Sequence, residues 1–243
     1  MISKTQLKYI QSLGQKKPRD VDNVFVAEGP KLVKELLQAK NCKVKKVYAL
    51  ADWITKNGDP YDFVEEITDH ELKKISQLAT PNAVLLIAEK INWEEKIELK
   101  GNISLILDTI QDPGNLGTII RLADWFGVKN IICNQETADC YNPKVIQASM
   151  GSITRVRVEY TGIENFIRDN NNIRVYATVL DGRDITKMDK IDEGLFIVGN
   201  ESKGISEEIL KLANVRITIP KKGKAESLNA AIATGIILSH ICK

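Results

Sequence analysis

A chain of 243 residues accommodates one large domain or two small ones. Its 43% apolar and 27% charged residues are those of a soluble globular protein, and no run of 18 apolar residues exists to make a transmembrane helix. The net charge of +2 is too small to argue for a polyanionic partner by itself, and Cys42, Cys133, Cys140, Cys242, His70 and His240 lack the spacing of a metal site.

The distribution of charge says more than its sum. Between Met1 and Lys46 stand the bases Lys4, Lys8, Lys16, Lys17, Arg19, Lys31, Lys34, Lys40, Lys43, Lys45 and Lys46, against Asp20, Asp22, Glu28 and Glu35. A basic end suits contact with a phosphate backbone, and it equally suits a solvated helix face. The first residues, MISKTQLKYIQSLGQKKPRD, lack the apolar core and cleavage site of a signal peptide, so a cytoplasmic location with reduced thiols is expected.

In chain order, Lys4 to Leu13 is an amphipathic helix with Leu7, Ile10 and Leu13 on one face, stopped by Gly14. Pro30 opens a second helix. Val44–Leu50 and Phe63–Ile67 read as strands, Thr68 with Glu71 is a capping-box signature for a helix to Leu78, and Ala83–Ala88 is a further strand. The charged stretch from Ile91 to Asn102 reads as a linker, which divides the chain into domains of residues 1–91 and 103–243 joined by 92–102.

After the linker, strands are expected at Ile103–Leu107, Asn130–Cys133, Arg155–Glu159, Arg174–Val179, Leu195–Val198 and Val215–Ile219. Helices are expected near Leu116–Phe126, Pro143–Met150, Ile163–Asp169, Ser206–Leu212 and Ser227–Ile241. This alternation predicts an α/β fold with a mostly parallel sheet and helices on both faces.

Three segments carry the chemistry. NLGTIIRLADWFG (Asn115–Gly127) follows a strand and a turn, with Arg121 six residues after Asn115; a guanidinium fork there suits a phosphate or carboxylate. An N-capping Asn and a salt-bridging Arg would explain the same residues. FIVGNESKGIS (Phe196–Ser206) places two glycines after a strand, where backbone can approach a ligand. Neither a phosphate-binding P-loop pattern nor GxGxxG occurs. IPKKGKAESLNAAIA (Ile219–Ala233) ends a strand and opens an apolar helix, with Ser227 as the expected N-cap and Asn229 inside the first turn. Loops at the carboxyl ends of strands in open α/β sheets converge on ligand sites.

In order and content the three segments resemble the motifs of the SpoU (TrmH-like) RNA ribose methyltransferases of the SPOUT superfamily. The resemblance covers about Asn102 to the C-terminus, including KVIQASMGSITRVRV from Lys144, and FVAEGPKLVKELL from Phe25 resembles that family's substrate-binding domain. Lys221-Lys222 departs from the family, in which a Met is common there.

The resemblance implies a deep trefoil knot in the C-terminal domain and a smaller N-terminal α/β domain similar to an RNA-binding ribosomal protein. It implies transfer of a methyl group from S-adenosylmethionine to a ribose 2′-hydroxyl, in ribosomal RNA rather than tRNA, by a homodimer without metal. Asn115, Arg121, Glu201, Ser227 and Asn229 take the catalytic positions. Thr178, Val179, Leu180, Gly199, Ile219, Ser227 and Leu228 take the cofactor positions. Two alternatives stay open: an RNA-binding module with an inactive methyltransferase domain, and a SPOUT enzyme that methylates another RNA position.

Overall fold

A computed structural model of the chain describes residues 2–57 and 63–242. Met1, Lys243 and residues 58–62 lie outside it, so the outer ends of both expected domains are not described. The chain forms two compact units, Met1–Asn92 with Tyr141–Thr154, and Trp93–Cys140 with Arg155–Lys243. Tyr141–Thr154 thus joins the first unit, although the sequence reading placed it beyond the linker.

The first unit runs α1 (Lys4–Ser12), α2 (Lys16–Asp22), β1 (Val24–Glu28), α3 (Pro30–Gln38), β2 (Val44–Ala49), α4 (Ala51–Asn57), β3 (Val64–Glu66), α5 (Asp69–Ile75) and β4 (Val84–Glu89). Its sheet has the order β1-β4-β2-β3. β4 is antiparallel to both neighbours and β2 is parallel to β3. Ile10 and Leu13 pack with Val24, Val26, Leu85 and Ile87, burying the amphipathic face of α1.

The sequence reading omits β1, α2 and α4. Val24–Glu28 is buried at every position, so it has no polar alternation to mark it as a strand. Arg19 also departs from expectation. It is 1% exposed and donates from Nη1 to the Leu13 carbonyl at 2.8 Å, so it is no part of a basic surface.

The capping box forms as expected. Thr68 Oγ1 accepts from the Glu71 N–H, and Glu71 Oε2 accepts from the Thr68 N–H at 2.9 Å. That backbone bond, a second from the Ile2 N–H at 2.8 Å and one from the Thr68 hydroxyl hold the Glu71 carboxyl down at about 2, against its ordinary 4.5. A depressed carboxyl stabilises the fold above its unfolded value and loses that effect as pH falls through its folded value. The stability difference between wild type and Glu71→Ala in urea titrations is therefore expected to be full above about pH 4.5 and to vanish towards pH 2. A difference unchanged down to pH 2 would contradict this.

The second unit runs β5 (Ile103–Asp108), α6 (Pro113–Trp125) and β6 (Asn130–Cys133). The chain then supplies α7 (Pro143–Ser149) to the first unit, where it packs on β1. It continues with β7 (Arg157–Tyr160), α8 (Ile163–Asp169), β8 (Val175–Asp184), β9 (Gly194–Gly199), α9 (Glu207–Leu210), β10 (Val215–Thr218) and α10 (Ala230–Ile241). All six strands are parallel, in the order β10-β8-β9-β5-β6-β7. Neighbouring positions such as Leu105 and Ile106, or Phe196 and Ile197, are all buried, as in a sheet covered on both faces. α8 and α9 cover the face of Ile106, Ile132 and Ile197, while α6 packs on α10, which reaches β9.

Two departures shape the site. β8 runs on to Asp184, and its ladder with β10 jumps from the pair Arg216–Ala177 to the pair Ile217–Arg183. Residues 178–182 leave the ladder as a bulge, which re-aims a strand locally. The strand rejoins at Arg183, and at the adjoining Gly182 a Cβ would lie inside 3.0 Å of the Ile217 backbone. The helix expected from Ser206 to Leu212 is the single turn α9.

Candidate active site

The first motif begins at an N-cap. Asp112 Oδ1 accepts from the Asn115 N–H at 2.8 Å, and Pro113 takes the first helical position. The helix therefore starts before Asn115 and leaves the Asn115 side chain free for other work. Its Nδ2 donates to Glu201 Oε1 at 2.6 Å, and its Oδ1 accepts from Asn229 Nδ2 at 2.9 Å. One residue from each motif thus enters a single hydrogen-bonded chain, Asn229–Asn115–Glu201.

Asn229, not Ser227, caps α10. Its Oδ1 accepts from the N–H groups of Ala231 at 3.0 Å and Ile232 at 3.2 Å. The expectation of Ser227 as cap is corrected: the chain turns into helix two residues later, and Ser227 is an exposed loop residue. The placement also explains why an Asn, a poor helix former, stands there. It lies at the N-cap, a position that favours it.

These groups edge a cavity of about 1100 Å³ at the carboxyl ends of β8, β9 and β10. Thr178, Val179 and Leu180 come from the β8 bulge, Gly199 and Glu201 from the second motif, and Ile219, Ser227 and Leu228 from the third. Thr178 Oγ1 donates to the Ile197 carbonyl at 2.8 Å, which pins the bulge to β9. Gly199 cannot carry a side chain, because a Cβ would lie inside 3.0 Å of the Gly204 carbonyl carbon and the Ile205 nitrogen. Leu180 and Leu228 are 77% and 46% exposed, leaving apolar surface uncovered on the cavity walls.

The structure therefore brings the seven expected cofactor positions to one cavity. Glu201 and Ser227 line it, and Asn115 and Asn229 bond to Glu201 and to each other. Arg121 stands apart. It lies about two-thirds of a turn round α6 from Asn115, is exposed, and makes no hydrogen bond or ion pair among the described residues. The salt-bridging alternative for Arg121 is thus not realised among them. Sequence reasoning missed Ala230, Ala233 and Ile237, which also line the cavity. Their spacing of three and four residues along α10 was the available signal.

Among the described residues, no group of three His, Cys, Asp or Glu side chains is placed to hold a metal ion, and no helix is long and apolar enough to cross a membrane.

A parallel open sheet with its cavity at the strand carboxyl ends defines a ligand-binding α/β protein. Residues 102–239 match the SpoU rRNA Methylase family, and residues 4–86 match the MRM3-like substrate binding domain. The chain belongs to the SpoU rRNA methylase family. It is 28% identical over 236 residues to the 23S rRNA (guanosine(2553)-2′-O)-methyltransferase RlmP of Bacillus subtilis, covering 95% of this chain and 93% of the relative. The AdoMet-bound rRNA methyltransferase from Sinorhizobium meliloti superimposes with a TM-score of 0.82 at 34% identity, over 99% of this chain and 95% of that one. A TrmH-family protein from Porphyromonas gingivalis gives a TM-score of 0.87 at 34% identity, over 99% and 98% of the two chains.

Proposed function

We infer that the protein is an RNA ribose 2′-O-methyltransferase that takes its methyl group from S-adenosylmethionine and acts on ribosomal RNA. The observation that carries this is the Asn229–Asn115–Glu201 chain at the edge of the cavity, which ties all three motifs to one place. The family and the rRNA methyltransferases among its relatives point to the same chemistry.

The cavity suits the methyl donor. At about 1100 Å³ it lies just above the usual range of small-molecule sites, about 300–1,000 Å³, and has room for the whole donor. Exposed Leu180 and Leu228 offer apolar surface for a flat base, and side-chain-free Gly199 lets backbone groups approach. Gly199, Ile219 and Leu228 would hold the donor, with Thr178, Val179 and Leu180 as the facing wall. When bound, S-adenosylmethionine supplies an electrophilic methyl on a sulfonium centre.

What remains for the protein is to align and activate a weakly acidic hydroxyl. Arg121 is a poor general base because its pKa lies above 12. Its role is to stabilise negative charge developing on the ribose oxygen and to hold the adjacent phosphate. Asn115, Glu201, Ser227 and Asn229 fix the loops and orient the hydroxyl, and alignment of this kind contributes several kcal/mol to the barrier reduction.

The finer architecture belongs to the same proposal. The segment from β10 to α10 threads a trefoil knot. Residues 103–243 hold the chemistry, and residues 1–91, similar to a ribosomal RNA-binding fold, grasp RNA in the cytoplasm. The exposed Lys4, Lys8, Lys16 and Lys17 are the phosphate contacts. Replacing these four with Ala should leave S-adenosylmethionine binding unchanged. It should also flatten the salt dependence of RNA binding by about three in log–log slope. Filter binding at several salt concentrations that gave the wild-type slope would refute the assignment.

The protein acts as a two-fold dimer through α6 and α10, where Trp125 is 82% and Ile232 is 57% exposed. Light scattering should give twice the chain mass at micromolar concentration, and Trp125→Glu should give a monomer. A wild-type monomer would contradict this.

The functional reading itself is tested by calorimetry with S-adenosylmethionine on the full chain, followed by transfer of labelled methyl to ribosomal RNA lacking this modification. An RNA-binding module would bind no donor.

A further inference from the structure

We propose that Asp108 is a positioning residue for this site: with Thr109 it fastens both ends of the 200–206 loop that carries Glu201. The proposal rests on reading the cavity as the methyl-donor site. Its first observation is a carboxylate at the carboxyl end of β5, 4% exposed and without an ion pair among the described residues. Such a group is costly to bury unless hydrogen bonds replace its water.

Four donors do so. Asp108 Oδ2 accepts from the Ser206 N–H at 2.8 Å and the Ser206 hydroxyl at 2.9 Å. Asp108 Oδ1 accepts from Asn134 Nδ2 at 3.0 Å and the Thr109 hydroxyl at 3.2 Å. Ser206 is the last residue of the second motif, so one end of the loop hangs on this carboxylate.

The other end hangs on Thr109. This β-branched residue has φ +64°, a conformation that such side chains rarely adopt, and strain of this kind gathers at functional sites. Asn134 holds it there, accepting from the Thr109 N–H at 3.1 Å and donating to its hydroxyl at 2.7 Å. So turned, the Thr109 carbonyl accepts from Asn200 Nδ2 at 2.9 Å. Asn200 in turn closes the loop, its Oδ1 accepting from Ser202 N–H at 2.9 Å and Lys203 N–H at 3.1 Å. Between these anchors sits Glu201, whose carboxylate meets Asn115. The Asp108 carboxylate bonds to no residue of the cavity lining and to no member of the Asn229–Asn115–Glu201 chain, and it acts on both through the loop.

The donor count makes the test sharp. Asp108→Asn leaves one acceptor oxygen for two pairs of donors and turns an NH₂ towards the other pair. Asn134 cannot flip to rescue it, because its oxygen also accepts from the Thr137 N–H at 3.1 Å and hydroxyl at 2.8 Å. The double variant Asp108→Asn/Asn134→Asp restores the match. The amide oxygen introduced at 108 serves Ser206, its NH₂ serves the new carboxylate at 134, and that carboxylate still accepts from Thr109 and Thr137.

Amide hydrogen exchange on the full chain reads the loop directly, and calorimetry with S-adenosylmethionine reads the cavity. Asp108→Asn should speed exchange at 200–206 while α10 keeps its protection. It should also weaken S-adenosylmethionine binding about tenfold or more, the loss that one unsatisfied buried donor carries. The double variant should recover most of both. Should Asp108→Asn not fold, Ser206→Ala, which removes one hydroxyl bond, should speed exchange at the same loop amides to a smaller degree. Wild-type exchange and affinity in Asp108→Asn would overturn the proposal, as would a double variant as impaired as the single one. Exchange raised evenly across the whole second unit would mark Asp108 as merely structural. A wild-type protein that binds no S-adenosylmethionine would sink the functional reading instead, and the exchange data would still judge the anchor.

Discussion

Arg121→Ala is expected to lower kcat for methyl transfer by about 10²–10³, the usual effect of removing one charge-stabilising donor. The substitution should disturb little else. Arg121 is exposed on α6 and makes no hydrogen bond or ion pair among the described residues, so its loss removes none. Exposed substitutions away from such contacts usually stay within about 0.5 kcal/mol. Arg121 is also absent from the cavity lining, so S-adenosylmethionine should bind as to wild type. Arg121→Lys keeps the charge but loses the fork of donors, and it should recover only part of the rate. Single-turnover transfer and donor calorimetry on the same preparations make the check. Near-normal turnover by Arg121→Ala would remove Arg121 from the mechanism.

Gly199→Ala is expected to abolish donor binding. The added methyl would lie inside 3.0 Å of the Gly204 carbonyl carbon and the Ile205 nitrogen. Both are backbone atoms of the second-motif loop. Asn200 and Gly204 are already paired to each other at 2.9 and 3.0 Å, so the loop cannot yield locally. It must move as a piece, shifting Glu201 away from Asn115. Overpacking of this kind costs about 1–3 kcal/mol of stability. Gly162→Ala is the control, because the nearest atom to its Cβ would be an Asn165 side-chain nitrogen at 3.9 Å. Thermal unfolding and calorimetry would show the contrast. Donor affinity retained in Gly199→Ala would mean that the loop does not form the cavity wall.

The strands were legible where their residues alternate with turns. β6 is placed at Asn130–Cys133 as expected, and β5 and β9 differ from expectation only at their ends. The Thr68–Glu71 capping box and Pro30 at a helix start were legible because each is a local rule. Long-range features were not. The bulge at 178–182 ends where β10 re-pairs at Arg183, and Gly182 beside it marks a close backbone approach without naming the partner strand. α7 was legible as a helix but not as part of the first unit, because only its packing on β1 assigns it.

At the site, the helix cap falls on Asn229 and not on the expected Ser227. Ser227 and Asn229 are both good caps, and the choice between them depends on where the chain turns. The Asn115–Glu201 bond joins residues 86 positions apart, and Asp108 lies just past the expected strand Ile103–Leu107 and outside the three motifs. Its importance comes from Ser206, 98 positions later.

Methylation of a ribose 2′-hydroxyl in ribosomal RNA is checked by mapping 2′-O-methyl nucleotides, with nuclease digestion and mass analysis, in ribosomal RNA from cells with and without this protein. One such methyl is expected to disappear with the protein and to return with wild type but not with Arg121→Ala. An unchanged set of 2′-O-methyl nucleotides, or a methyl lost from a base instead of a ribose, would contradict it.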